Sequence, residues 1–196
     1  MHNIKTCLLL GRIKDTLKIK KIIKKKNWKV ICKNREININ DLKNIDLIII
    51  FNYRHVLKNR ILKKIKRPAI NLHISYLPYN RGCHPNFWSF IENSPKGITI
   101  HEIGKSLDAG PIIYQKRLFF NINKKEHSNF FKTNKILLQE IQKLFFKKVS
   151  QLLDKKYYIK KQKKKGTFHY RSEVPEFIKK NWKINIKKVL EIYKKK

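Results

Sequence analysis

Acidic residues are sparse in this chain: 13 Asp and Glu stand against 48 Lys and Arg, leaving a formal net charge of +35 over 196 residues. Such a field attracts polyanions, nucleic acid and acidic membrane surfaces among them. Arginine is scarce as well, supplying eight of those 48 cations, and arginine is the side chain whose planar fork grips phosphate through two donors. A lysine excess accompanied by abundant asparagine and isoleucine is what AT-rich coding leaves wherever a solvated surface tolerates it. The composition therefore favours drift over a selected nucleic-acid surface. The three cysteines, Cys7, Cys32 and Cys83, are odd in number and share no close spacing. They support neither a disulfide framework nor a zinc knuckle, and the expectation is a reduced, cytoplasmic setting. Long apolar runs are missing. Cys7-Leu8-Leu9-Leu10 is shorter than the roughly seven to fifteen residues of a signal core, and no run approaches the ~20 residues of a membrane span. Glycine is limited to six residues, and the lone Gly11 after the first apolar run is far from a glycine-rich dinucleotide fingerprint, so no NAD site is implied.

What is present is an apolar content of 41%, enough for one domain with a real core, followed by a tail. Thr6 to Leu10 reads as a strand, Asp15 and Thr16 as caps of a helix with Ile19, Ile22 and Ile23 on one side, and Trp28 to Cys32 as a second strand. Asp46 to Phe51 is apolar and rich in β-branched residues, the mark of a strand covered on both faces. A short helix with Ile61, Leu62 and Ile65 inward follows, Pro68 ends it, and Ala69 to His73 forms the next strand. Pro85 opens a helix with Phe87, Trp88, Phe90 and Ile91 as its aromatic face. Gly97 to Ile103 alternates as a strand, and Ile112 to Phe120 is extended. The longest helical pattern covers His127 to Leu153, with Leu137, Leu138, Ile141, Leu144, Phe145, Val149 and Leu152 on one stripe. Strands alternating with helices predict an α/β fold: a mostly parallel central sheet with helices on both faces. The domain boundary is placed at Asp154, with a lysine-rich connector and a short C-terminal extension over residues 155–196.

One stretch breaks the apolar pattern. In Asn71-Leu72-His73-Ile74-Ser75-Tyr76-Leu77-Pro78, the polar Asn71, His73 and Ser75 share one face of a strand while Leu72 and Ile74 take the other. Ser106-Leu107-Asp108-Ala109-Gly110-Pro111 answers it later in the chain, and proline and glycine close both segments as tight loops. In an open α/β sheet, ligands sit beyond the carboxyl ends of the strands, so the loops after Phe51 and His73 should line one crevice. An asparagine amide can donate to a developing oxyanion, a histidine can carry a proton, and an aspartate can orient that histidine. No activated nucleophile accompanies them, since Ser75 lacks a glycine-flanked elbow. That favours direct transfer of a one-carbon or acyl group between two bound substrates. His73, His84 and His101 have no metal-ligand spacing, and no metal is expected.

These motifs, with Arg81-Gly82, Gly97-Ile98-Thr99-Ile100-His101 and Leu107-Asp108-Ala109-Gly110-Pro111, resemble the signature of folate-dependent formyltransferases. The likeness runs from about Asp46 to Gln115 as an ordered set; outside it, the match is one of general pattern. The resemblance implies a Rossmann-like domain that passes a formyl group from 10-formyltetrahydrofolate to a primary amine. By that resemblance Asn71 would hydrogen-bond the formyl oxygen and His73 would stabilise the tetrahedral oxyanion. Asp108 would set the protonation of the histidine and help remove the amine proton. Arg54, His55 and Val56 match the loop whose backbone holds the pterin, and Gly104 to Asp108 would form the other pterin wall. The run Tyr79 to Phe90 and Thr167-Phe168-His169 look most like the branch acting on nucleotide-linked amino sugars. The branch acting on methionyl-tRNA carries a C-terminal β-barrel of roughly a hundred residues, longer than this tail. Methionyl-tRNA or glycinamide ribonucleotide as acceptor is the alternative, along with a basic nucleic-acid-binding protein on an inactive formyltransferase fold. A homodimer is compatible with either.

Overall fold

A computed structural model describes residues 4–163 and 165–194. Its central sheet has six strands: β1 (Thr6–Leu10), β2 (Lys29–Lys33), β3 (Leu47–Phe51), β4 (Ile70–His73), then β5 (Arg81–Gly82) outside it, and β6 (Lys96–Glu102) and β7 (Ile112–Leu118) within it. The spatial order is β2-β1-β3-β4-β6-β7, with β1, β2, β3 and β4 mutually parallel and the last two pairings antiparallel. Three helices flank the sheet: α1 (Ile13–Lys24), α2 (Asn59–Leu62) and, beyond α3 (Pro85–Ile91), the long α4 (Phe130–Leu153). This is the mostly parallel sheet with helices on both faces that the strand-and-helix alternation predicts.

Side-chain parity explains the two-sided burial. Cys7 and Leu9 of β1 and Leu47 and Ile49 of β3 face α1 and α4, packing with Ile19, Ile23, Leu137, Ile141, Phe145 and Leu152. Leu8, Leu10, Ile48 and Ile50 face the other way, onto Leu57, Ile61 and Ala69 around α2. A strand buried on both faces has no need of polar alternation, which is why β1 and β3 read as uninterrupted apolar runs.

Several local boundaries differ from the sequence expectation. Asp15 and Thr16 are not helix caps: α1 starts at Ile13 with Arg12 at its N-cap, because Arg12 Nε donates to Asp15 Oδ2 at 2.6 Å and draws the first turn tight. The Thr16 hydroxyl donates to the Ile13 carbonyl at 3.0 Å, inside the helix. The α2 helix is a single turn, and Ile65 follows it yet still packs on the same core. Strand β4 ends at His73, leaving Ser75 in the loop, where its hydroxyl donates to the Tyr79 carbonyl. The α4 helix starts at Phe130, since the Asn129 side chain caps it by accepting from the Lys132 N–H at 2.9 Å.

Beyond Asp154 the chain folds back over the sheet. Lys160 exchanges two backbone hydrogen bonds of 2.8 Å with Ile112, and β8 (Phe168–His169) pairs with β5 as a parallel two-stranded ribbon. Helices α5 (Glu176–Lys180) and α6 (Ile186–Lys194) contribute Ile178, Ile186 and Val189 to a third core with Phe87, Phe90 and Phe130. No helix among the described residues is long and apolar enough to cross a membrane.

Phe145 is fully buried between α4 and the sheet. Its replacement by alanine should cost about 3–5 kcal/mol, read as a lower denaturant midpoint. Lys147→Ala, on the exposed side of the same helix, should stay within about 0.5 kcal/mol of wild type in the same titration.

Candidate active site

The site begins with the parity of β4. Ile70 and Leu72 belong to the core beneath α1 and α4, so Asn71 and His73 project from the opposite face of the sheet. Antiparallel pairing with β6 sets Asn71 across from His101 and His73 across from Thr99. The β6–β7 hairpin then carries Asp108 back over that face. Asp108 has φ of 51°, a left-handed conformation that aspartate tolerates better than most residues. The hairpin closes on Gly110, where a Cβ would stand 1.8 Å from the Glu102 carbonyl oxygen.

Asn71, His73 and Asp108 converge, although 35 residues separate His73 from Asp108 in the sequence. Asn71 Nδ2 donates to Asp108 Oδ1 at 3.1 Å and lies 3.2 Å from His101 Nε2. His73 Nδ1 faces Asp108 Oδ2 at 3.7 Å, and His101 Nε2 lies 3.5 Å from Oδ1. The backbone N–H of Gly82 donates to Asp108 Oδ2 at 3.0 Å. His73 Nε2 is buried and has no hydrogen-bond partner among the described residues. A buried polar atom left without a partner is open to a hydrogen bond from a bound molecule.

Burial and charge divide the protonation states. Desolvation works to raise the Asp108 carboxyl, but His73, His101 and the Gly82 N–H outweigh it and hold the group well below the usual carboxylate range. Burial pushes the His73 imidazole below its ordinary value, with the Asp108 charge opposing that shift only in part. The resting pair at neutral pH is a neutral imidazole beside a carboxylate. Such a pair can take up a proton at Nε2 and stabilise the resulting imidazolium.

Three further groups complete the site, and local sequence patterns do not reveal their roles. The sequence offers His101 as a strand residue, as part of the Gly97–His101 motif and, with His73 and His84, as a histidine without metal-ligand spacing; the register of a hairpin closing at Gly110 is the signal that places it beside Asn71. Gly82 contributes a main-chain donor, invisible in residue chemistry. Gln162, from the lysine-rich connector, donates through Nε2 to the carbonyls of Asp108 and Gly110 at 2.9 and 2.7 Å. Its Oε1 accepts from Arg81 Nε and Nη2 at 3.1 and 2.7 Å. No local pattern singles out one glutamine among lysines.

The residues matched to a pterin loop behave differently. Arg54, His55 and Val56 are exposed in the loop after β3, with His55 packed against Tyr53 at a centroid distance of 5.1 Å. Among the described residues, no side-chain hydrogen bond or ion pair joins them to Asn71, His73 or Asp108. Gly104 lines a cavity of about 550 Å³ whose walls include Asn59 and Leu62 of α2 on one side and Ile103 and Lys105 on the other. The 54–56 loop leads directly into the first of those walls.

The family described as Formyl transferase matches residues 3–141. The bifunctional polymyxin resistance protein ArnA of Wigglesworthia glossinidia brevipalpis is 41% identical over 87 residues, covering 40% of this chain and 13% of that protein. The dTDP-4-amino-4,6-dideoxyglucose formyltransferase of Mycobacterium bovis is 37% identical over 71 residues, covering 36% of this chain and 30% of that protein. The alignment thus spans less than a third of either curated relative. Among solved structures, the formyltransferase PseJ from Anoxybacillus kamchatkensis, in complex with UDP-4,6-dideoxy-4-formamido-L-AltNAc and tetrahydrofolate, superposes with a TM-score of 0.85 at 32% identity. That match covers 94% of this chain and 97% of that one. The methionyl-tRNA formyltransferase from Clostridium thermocellum shares the fold, with a TM-score of 0.65 at 19% identity over 86% of this chain and 73% of that one. The match over residues 3–141, well over half of the chain, establishes that this protein belongs to the formyl transferase family.

Proposed function

We propose that the protein transfers a formyl group from 10-formyltetrahydrofolate to the primary amine of a nucleotide-linked amino sugar. The observation that carries this reading is the convergence of Asn71, His73 and Asp108 with a free, buried Nε2 at its centre. The PseJ complex supports the choice of substrates, since its match extends over nearly the whole of both chains and it holds a folate and a UDP-linked formamido sugar. The free thiols of Cys7, Cys32 and Cys83 fit a reducing cytoplasm.

The residues divide the transfer as follows. The amine attacks the formyl carbon, forming the new C–N bond and pushing the carbonyl electrons onto oxygen. The Asn71 amide hydrogen-bonds that oxygen. Asp108, ionised, keeps the His73 Nδ1 on its own side, so Nε2 receives the proton that the amine loses. The imidazolium so formed presents its Nε2–H to the oxyanion while Asp108 stabilises its charge. When the bond from the formyl carbon to N10 breaks, the electron pair returns to that nitrogen and His73 hands its proton to it. One proton leaves the amine and one reaches N10, so the cycle returns the site to its resting state. Arg54, His55 and Val56 and the Gly104–Asp108 segment belong to this reading as the pterin walls, of which Gly104 and Lys105 line the cavity beside α2. Residues 155–196 act as an extension that Gln162 ties to the catalytic hairpin.

Mass spectrometry after incubation with 10-formyltetrahydrofolate and a panel of amino-sugar nucleotides, glycinamide ribonucleotide and charged initiator tRNA tests the proposal. A formylated amino-sugar nucleotide is expected, and formylation of only the other acceptors, or of none, rejects it. Asn71→Ala, His73→Ala and Asp108→Asn should each lower kcat/KM by about 100- to 10,000-fold while far-ultraviolet circular dichroism stays unchanged. The acid limb of the kcat/KM profile should fall below 6.5, the ordinary histidine value, because burial lowers His73. It should fall further in the residual activity of Asp108→Asn, which removes the charge that partly restores His73. The same shift predicts a slope in stability: the folded state resists protonating His73, so stability is full above 6.5 and declines as pH drops toward the lowered folded value. His73→Gln should flatten that slope in denaturant titrations at stepped pH. Gln162→Ala, which releases the carbonyls of Asp108 and Gly110, should lower kcat by about tenfold with little change in donor KM.

A further inference from the structure

The Gly82 N–H that holds Asp108 is delivered by a very short element. Strands β5 and β8 contribute two residues each, and so short a two-stranded ribbon has too few ladder bonds to hold itself in place. Its main-chain contacts run from the Arg81 N–H to the Thr167 carbonyl at 3.0 Å and from the Cys83 N–H to the His169 carbonyl at 2.9 Å. Gly82 lies between them, so close that a Cβ there would stand 2.4 Å from the same His169 carbonyl oxygen. Movement of the His169 backbone is therefore passed to Gly82, and from Gly82 to the Asp108 carboxylate, whose Oδ2 accepts from its N–H at 3.0 Å.

What fixes His169 is its side chain. Phe168, the other residue of β8, is 40% exposed and anchors little. The His169 ring stacks on Trp88 of α3 with centroids 4.1 Å apart and 10° between the planes. Its Nδ1 lies 3.1 Å from Glu173 Oε2, and its Nε2 approaches Glu92 Oε1 at 2.7 Å, off the line of a hydrogen bond. An ionised carboxylate offers only acceptors, so two of them facing one ring make the imidazole nitrogens their complement. Glu92 caps the end of α3, and its other oxygen accepts from Asn80 Nδ2 at 2.9 Å and from the Thr167 hydroxyl at 3.1 Å. Asn80 precedes β5 and Thr167 precedes β8, so this one carboxylate gathers both strands where they enter the ribbon. Helix α3 is itself held, with Phe87 and Phe90 in the third core.

Resting on the formyl-transfer reading, we propose that His169 is a positioning residue for that reaction. Gripped between Trp88, Glu92 and Glu173, it holds the ribbon in the register that keeps the Gly82 N–H on the Asp108 carboxylate. It acts through backbone contacts rather than on the reacting atoms. Asp108 in turn orients His73, so slack at His169 reaches the imidazole that moves the proton, and small displacements of such a group are costly in rate.

Amide hydrogen exchange, followed by nuclear magnetic resonance on the full chain without substrate, reads the Gly82 N–H directly. His169→Phe keeps a ring against Trp88 and removes both nitrogens, whereas His169→Gln keeps an amide nitrogen for Glu92. Protection of the Gly82 amide should fall about tenfold or more in His169→Phe, while the amides of Ile48, Ile49 and Ile50 in β3 keep their wild-type protection. In His169→Gln it should stay within about threefold of wild type. In turnover, His169→Phe should lower kcat about tenfold with little change in donor KM. It should also move the acid limb of kcat/KM further below 6.5, because a displaced Asp108 charge restores His73 less. His169→Gln should recover both. Unchanged Gly82 protection in His169→Phe overturns the role. So does a loss shared equally by β3, which marks general loosening, or an equal loss in the Phe and Gln variants, which makes the nitrogens irrelevant. Failure of the formyl-transfer reading would instead leave the exchange contrast intact while the wild type yields no product with the acceptor panel.

Discussion

A buried carboxylate held by neighbours from four places in the chain is the constraint on which this site depends. Asp108 would be expensive to bury alone. Here the Gly82 N–H, the Asn71 amide and the imidazoles of His73 and His101 surround it. They come from three elements: the ribbon, β4, which supplies both Asn71 and His73, and β6. If the hairpin carrying Asp108 shifted, the carboxylate would lose its donors and the charge would no longer be tolerable inside. The same contacts that keep it ionised also keep His73 oriented, so structural stabilisation and proton handling are one arrangement.

That arrangement explains the role of the C-terminal segment. Residues beyond Asp154 do not merely cover a surface. Gln162 bonds the carbonyls of Asp108 and Gly110 and accepts from Arg81, joining the catalytic hairpin to the ribbon. Tyr157 donates to Glu102 at 2.9 Å at the base of the same hairpin. These contacts lie between residues more than fifty positions apart, which makes the hairpin a cross-braced element. Catalysis by proximity requires such bracing, because displacement of a reacting group by an ångström is costly in rate. The third core, built by α5 and α6 on Phe87, Phe90 and Phe130, anchors the far end of the segment.

The charge of +35 takes on a different meaning against this fold. Lysines occupy the outward faces of α1 and α4, while three of the arginines sit in two-point contacts: Arg35 on Asp41, Arg67 on the end of α4, Arg81 on Gln162. A solvated surface accepts any cation, but a planar bidentate site does not accept a point charge as an equal substitute. The distribution thus separates tolerated charge from charge with a geometric task. Resemblance to PseJ over nearly all of both chains and the family match over residues 3–141 are independent of that argument.

Much of the fold was legible in the sequence because apolar periodicity carries it. The continuous runs of β1 and β3 and the stripe of α4 could be read directly, and Asn71, His73 and Asp108 stood out as polar groups in apolar or tightly turning segments. Cap positions were less legible: Asp15 and Thr16 have capping chemistry, yet their side chains act inside the first turn of α1. Sequence by itself determined which residue types could do the chemistry and on which strand face each would lie, since a two-residue repeat fixes that locally. Only the tertiary structure decided that Gly82 and His101 meet the Asp108 carboxylate and that Gln162 bonds the same residue's backbone carbonyl. Their contributions come from backbone donors and from register across long loops, and neither is encoded in local spacing.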